Sequence, residues 1–98
     1  MRWILLGQLI ARLKVLPEEV GTELPKMVSS IEENLPKGAV IKRTGEEPIA
    51  FGLVALLLDV QIEDKEGATD RLEEAVKAAD LVSEVQVLGV SKLSTRVG

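Results

Sequence analysis

The chain has no cysteine, no histidine and no tyrosine, and its only aromatic residues are Trp3 and Phe51. Without cysteine and histidine there are no disulfides, no Cys/His zinc sites, no thiol nucleophile and no histidine-based catalytic triad. Long apolar runs are missing too, since none approaches the roughly 18 residues of a membrane span. The opening MRWILLG is interrupted at Gly7 and Gln8, meets Arg12 and Lys14 soon after, and offers no small-residue cleavage site, so it does not read as a secretory leader. Neither GxxxxGK(S/T) nor GxGxxG occurs, which leaves no nucleotide cradle of the chain's own. A net charge of -4 makes nucleic acid and anionic membranes poor default partners. Together these absences predict a cytoplasmic protein that is no enzyme in the usual sense, with no cofactor, no bound metal, no direct nucleic-acid contact and no membrane contact.

What is present suits one small domain. At 98 residues the chain can close a single core, and 46% of its residues are hydrophobic, carried by Leu, Val, Ile and Ala. We expect one domain over residues 1–98. From residue 8 to 16 apolar side chains alternate at Leu9, Ala11, Leu13 and Val15, with Arg12 and Lys14 between them, which predicts a strand stopped by Pro17. Leu24, Met27, Val28, Ile31 and Leu35 follow helical spacing, with Thr22 as expected N-cap, Pro25 in the first turn, and Pro36 and Gly38 as the stop. Residues 39–44 and 52–62 read as two further strands joined by a connection over 45–51. A second helix follows, with the stripe Leu72, Ala75, Val76 and Ala79 and a capping pair from Asp70 and Glu73, and a last strand spans residues 82–90.

The order β-α-β-β-α-β predicts an α+β, ferredoxin-like split βαβ fold, a four-stranded antiparallel sheet with two helices on one face. So widely reused a fold does not name a function. An RNA-recognition motif shares the order but stacks bases on sheet aromatics, and these strands have none. The acidic residues Asp59, Glu63, Asp64, Glu66 and Asp70 miss the calcium-loop spacing and read as a solvated strand-to-helix turn, with acids favoured near a helix start.

Four stretches in order, ARLKVLP, EEPIAFGLVAL, GATD and VSKL, resemble the archaeal translation elongation factor 1-beta family over about residues 8–93. The resemblance implies a guanine-nucleotide exchange factor that promotes GDP release and GTP loading on elongation factor 1-alpha, the GTPase that delivers aminoacyl-tRNA, and that prefers its nucleotide-free form. It implies that Lys92 of VSKL is directed toward the GTPase's magnesium site and displaces metal and nucleotide, and that Pro48, Ile49, Ala50, Phe51 and Gly52 bind the partner, with Phe51 packing against it. The chain departs from the pattern in its residues 1–7, in a tail over 94–98 after Leu93, and in Val54, where eukaryotic members often carry lysine.

Read from the residues alone, Lys92 is a solvated terminal lysine, Phe51 caps the open end of the core, Trp3 packs on the first strand or belongs to a frayed terminus, and Arg12, Lys14, Lys42 and Arg43 are outward strand charges. The alternative function is a small ferredoxin-like ligand-sensing or assembly module without exchange activity. On the exchange-factor reading, the 45–52 connection and the end of the last strand are expected to form an interface spanning one end of the domain.

Overall fold

The alternation seen in the first strand becomes a buried face and an open face. The computed structural model describes residues 7–93, so the expectations for Trp3 and the rest of residues 1–6, and for the tail 94–98, lie outside the described residues. The elements are β1 (Gln8–Pro17), α1 (Leu24–Asn34), β2 (Val40–Ala50), β3 (Leu53–Glu63), α2 (Ala68–Lys77) and β4 (Val82–Leu93). All pairings are antiparallel and the sheet order is β2-β3-β1-β4, the split βαβ arrangement expected.

Register explains the core. Ala11, Leu13 and Val15 of β1 lie opposite Val60, Leu58 and Leu56 of β3. All six are buried with Leu24, Met27 and Ile31 of α1 and Leu72 and Val76 of α2 in one cluster. Burying each Leu, Ile or Met contributes about 1.5–3 kcal/mol. A one-residue slip of β1 would instead turn Arg12 and Lys14 inward, so the charged positions lock the register as firmly as the apolar ones. Two side-chain bonds tie α1 to α2 and the turn that follows it: Asn34 Nδ2 donates to the Ala75 carbonyl at 2.7 Å and Ser30 Oγ to the Asp80 carbonyl at 3.1 Å.

Several boundaries differ from expectation, each for a local reason. The Thr22 hydroxyl donates to the Glu19 carbonyl at 2.7 Å and closes a turn instead of capping α1, whose N-cap is Glu23. Asp70 and Glu73 do not form a capping pair, because the chain enters α2 through Gly67 at φ 78° and Asp70 falls inside the first turn. There its charge still favours the helix dipole. β4 runs to Leu93 rather than residue 90, past two irregularities in its pairing with β1 that leave Ser83 and Leu88 without partners in the register.

The largest difference is β2. Residues 45–50, expected as part of a connection, continue the strand, with Glu46 opposite Leu56, Glu47 opposite Ala55 and Pro48 opposite Val54. Proline is tolerated there because β2 is an edge strand, where a missing N–H leaves no ladder bond unmade. The connection shrinks to two residues, Phe51 and Gly52.

On the helix-free face, Arg12 and Asp59 stand opposite each other in the register and pair through two bonds, Nε to Oδ1 at 2.8 Å and an Nη to Oδ2 at 3.1 Å. Arg43 Nε lies 4.0 Å from the same carboxylate. The expected outward strand charges are therefore outward and partly paired. The hydrogen bond from Arg12 outweighs the effect of partial burial and, with the charges of Arg12 and Arg43, holds the Asp59 carboxyl below the usual carboxylate range. A carboxyl lowered on folding stabilises the fold above its unfolded value of about 4 and loses that contribution as pH falls through the lower folded value. Asp59→Asn should therefore be less stable than wild type at pH 7, with the gap closing as pH drops below about 4. Urea denaturation across that range reads the gap directly.

Candidate functional site

Phe51 and Gly52 form a two-residue hairpin turn with positive φ at both positions, 51° and 82°. Two-residue turns of this kind match the twist of the flanking strands and favour Asn-Gly or Asp-Gly. Glycine at the second position is what the geometry wants. Phenylalanine at the first is not, since a bulky residue with positive φ is a backbone outlier that carries strain. Its side chain is also 98% exposed, so it does not cap the core, and the core-cap reading is overturned.

The neighbouring candidates support this tip. Ala50 pairs with Leu53 directly beside the turn, while Ile49 is skipped in the register between Pro48 and Ala50, which makes it a bulge residue. A bulge strengthens local twist and re-aims side chains, and Ile49 is 41% exposed. Gly52 is crowded from outside the hairpin: a Cβ there would lie 3.3 Å from Val20 Cγ1 in the β1–α1 loop. Any side chain at 52 would meet both an unfavourable φ and that methyl.

Lys92 lies on β4 opposite Leu9, which in turn faces Ile62 on β3. Its side chain is 76% exposed, and Nζ is 3.3 Å from Asp64 Oδ2. Asp64 itself is anchored through its backbone N–H, which donates to the Gly7 carbonyl at 3.0 Å. An exposed ion pair of this sort contributes about 0–1 kcal/mol, so Asp64 steadies the ammonium group without locking it.

The register sets the distance between the two candidate regions. Phe51 adjoins Leu53 at the start of β3, and Lys92 is level with Ile62 near its end. Nine strand steps at roughly 3.3 Å separate these levels by about 30 Å. The two groups therefore sit at opposite ends of the sheet, toward opposite edges of it, and the expected interface across one end is not what the fold presents. Antiparallel order requires this, because the β2–β3 turn and the end of β4 point in opposite directions.

The acidic residues do not converge. Asp59 faces Arg12, Asp64 faces Lys92, and Glu63 Oε1 lies 3.2 Å from Lys65 Nζ. Among the described residues no group of three such side chains is placed to hold a metal ion. Nor is any helix among them long and apolar enough to cross a membrane.

A family profile described as the EF-1 guanine nucleotide exchange domain matches residues 10–93, which contain both the Phe51 turn and Lys92. The chain belongs to this family. As an EF-1 exchange domain it has close counterparts among archaeal proteins named elongation factor 1-beta. That of Methanothermobacter thermautotrophicus is 39% identical over 90% of this chain and 99% of its own length. Those of Natronomonas pharaonis and Methanococcoides burtonii are 38% identical over 90% of this chain and 100% of their length, and 44% identical over 84% and 92%. Membership places the exchange domain in translation elongation, with nucleotide exchange rather than bond-making chemistry as its work.

Two residues of the exchange domain's surface were not singled out in the sequence. Val20 looks like an ordinary loop valine, and nothing local signals its contact with Gly52. Asp64 looks like one of several acids in a turn, and only the pairing of β1 with both β3 and β4 brings Lys92 to it.

Proposed function

We propose that the chain promotes GDP release and GTP loading on elongation factor 1-alpha during translation elongation, in the cytoplasm, by holding the GTPase at two separated places. The Phe51 turn, with Pro48, Ile49, Ala50 and Gly52 shaping it, is the docking end. Lys92 is the displacing group at the other end. The observation that carries this reading is Phe51 itself, 98% exposed at φ 51°. A strained, fully solvated aromatic does nothing for the fold and suits an interface anchor, where few residues supply most of the binding energy.

Lys92 suits the second role by its chemistry. In a P-loop GTPase, Mg²⁺ is held among phosphate oxygens, a hydroxyl and a nearby carboxylate, and tight GDP binding depends on those contacts. An ammonium group entering that neighbourhood competes for the carboxylate and repels the metal. Two unit charges about 4 Å apart interact by roughly 4 kcal/mol at an effective dielectric near 20, about a thousandfold in affinity. Leaving Asp64 costs the lysine no more than about 1 kcal/mol.

Linkage sets the test. A factor that weakens GDP binding is itself weakened by GDP to the same degree, so the chain should bind nucleotide-free elongation factor 1-alpha far more tightly than the GDP-loaded form. Calorimetric titration of cognate GTPase in the two states measures both constants. Equal affinities would remove exchange as the activity, and retention of some other ligand or of a second copy instead would favour a sensing or assembly module.

A further inference from the structure

The six exposed large hydrophobic residues among those described are not scattered evenly. Three of them, Phe51 at 98%, Val20 at 61% and Ile49 at 41%, gather at the hairpin end. They come from two segments far apart in the sequence, joined where Val20 packs against Gly52. Val20 lies in the loop between β1 and α1, which carries Glu18 and Glu19, both exposed. Glu46, also exposed, borders a groove with Leu24 and Pro25 at the start of α1, on the same end of the fold. On the elements that flank this end, Lys14 pairs with Glu47 at 3.7 Å and Lys26 with Glu23 at 3.5 Å, so each of these cations is matched by an acid of its own. The hairpin end is thus an apolar tip inside a negative fringe.

We propose that Val20 and Ile49 join Phe51 in one docking surface fringed by Glu18, Glu19 and Glu46, and that this surface takes a patch of the GTPase in which an apolar pocket is bordered by lysine or arginine side chains. The proposal rests on the exchange-factor reading and adds the chemistry of the contact and a second anchor. Apolar groups at the centre with charges at the rim is the usual anatomy of a specific interface. The centre governs how slowly the complex separates, and a single-signed rim raises the rate of encounter with a surface of opposite sign. Val20 has a double part: its methyl buttresses the turn at Gly52, and its remaining surface extends the patch. A turn whose backbone is held at Gly52 by a neighbouring loop has less backbone freedom left to lose on docking, so the contact with Val20 favours binding.

The test is the binding kinetics of nucleotide-free cognate GTPase with wild-type chain, Val20→Ala, Glu18→Lys/Glu19→Lys and Phe51→Ala, read by surface plasmon resonance across ionic strength. All changed positions are exposed, and circular dichroism confirms folding of each. Val20→Ala should dissociate about fivefold faster, as expected for loss of a moderate interface contact. The charge reversal should slow association by about tenfold at low salt, with the difference fading at high salt. If Phe51→Ala weakens binding while the other two variants behave as wild type, the wider surface is wrong and the docking role of Phe51 stands. If Phe51→Ala itself binds as wild type, the docking reading falls and this inference with it. Sedimentation of the wild-type chain supplies the remaining contrast: self-association abolished by Val20→Ala, with GTPase affinity intact, would assign the patch to a second copy and overturn the proposal.

Discussion

Phe51→Asn should raise the stability of the domain while weakening its complex with the GTPase by about thirtyfold or more, the scale of losing an interface anchor worth at least 2 kcal/mol. The two effects have separate causes. Asparagine accepts positive φ far more readily than phenylalanine, and Asn-Gly is the preferred pair for a two-residue turn with φ 51° and 82°. Relief of that strain should contribute about 1 kcal/mol, or roughly 4–8 °C in Tm for a domain of this size. No packing is lost in return, because the ring touches solvent rather than core. Opposite signs make the result hard to mistake. A melting temperature that falls with affinity unchanged would return Phe51 to the fold; a rise in Tm with weaker binding identifies a residue kept for its partner at the expense of stability.

Lys92→Ala should leave the fold and most of the affinity in place and lower the maximal rate of GDP release by about a hundredfold or more, given an electrostatic effect of roughly 4 kcal/mol at contact. The side chain is 76% exposed and its pairing with Asp64 is a surface ion pair, so its removal disturbs little within the chain. Its loss therefore separates chemistry from docking. Lys92→Arg is informative beside it: charge is kept, but a planar fork replaces a compact ammonium, so partial activity is expected. Stopped-flow release of a fluorescent GDP analogue at saturating factor measures both variants. Equal plateau rates for wild type and Lys92→Ala would exclude the displacement role.

Element order and the core were legible in the sequence because both follow from periodicity. Leu9 to Val15 alternate as a half-buried strand must, and Leu24, Met27 and Ile31 recur as a helix facing a sheet must. The extent of β2 was not legible. Glu46, Glu47 and Pro48 carry weak strand propensity, and what makes them a strand is pairing with Leu56, Ala55 and Val54, which lie after the turn. A connection holding Phe51 was legible, but its two-residue length was not, because its first residue is one that turn chemistry disfavours. On the docking reading, such a local contradiction marks a position where binding rather than foldability set the residue. Caps were obscured by competition, since Thr22 satisfies a turn carbonyl rather than a helix N–H.

The separation of the candidate groups came only from topology. In the sequence Phe51 and Lys92 have no evident spatial relation, and the hairpin end and the β4 end were expected to share a surface. The strand order β2-β3-β1-β4 sets them at opposite ends and turns a single contact into a span of about 30 Å. A small domain that reaches across such a distance can hold one part of a GTPase while acting on another. On that account the docking group and the displacing group should fail in different ways when removed.

The most direct measurement is the rate of GDP release from cognate elongation factor 1-alpha as a function of factor concentration. Wild type should accelerate release saturably. Phe51→Asn should shift half-saturation to higher concentration with the plateau little changed, and Lys92→Ala should lower the plateau with half-saturation little changed. No acceleration by the wild-type chain, or the same loss of plateau and half-saturation in both variants, would contradict the account.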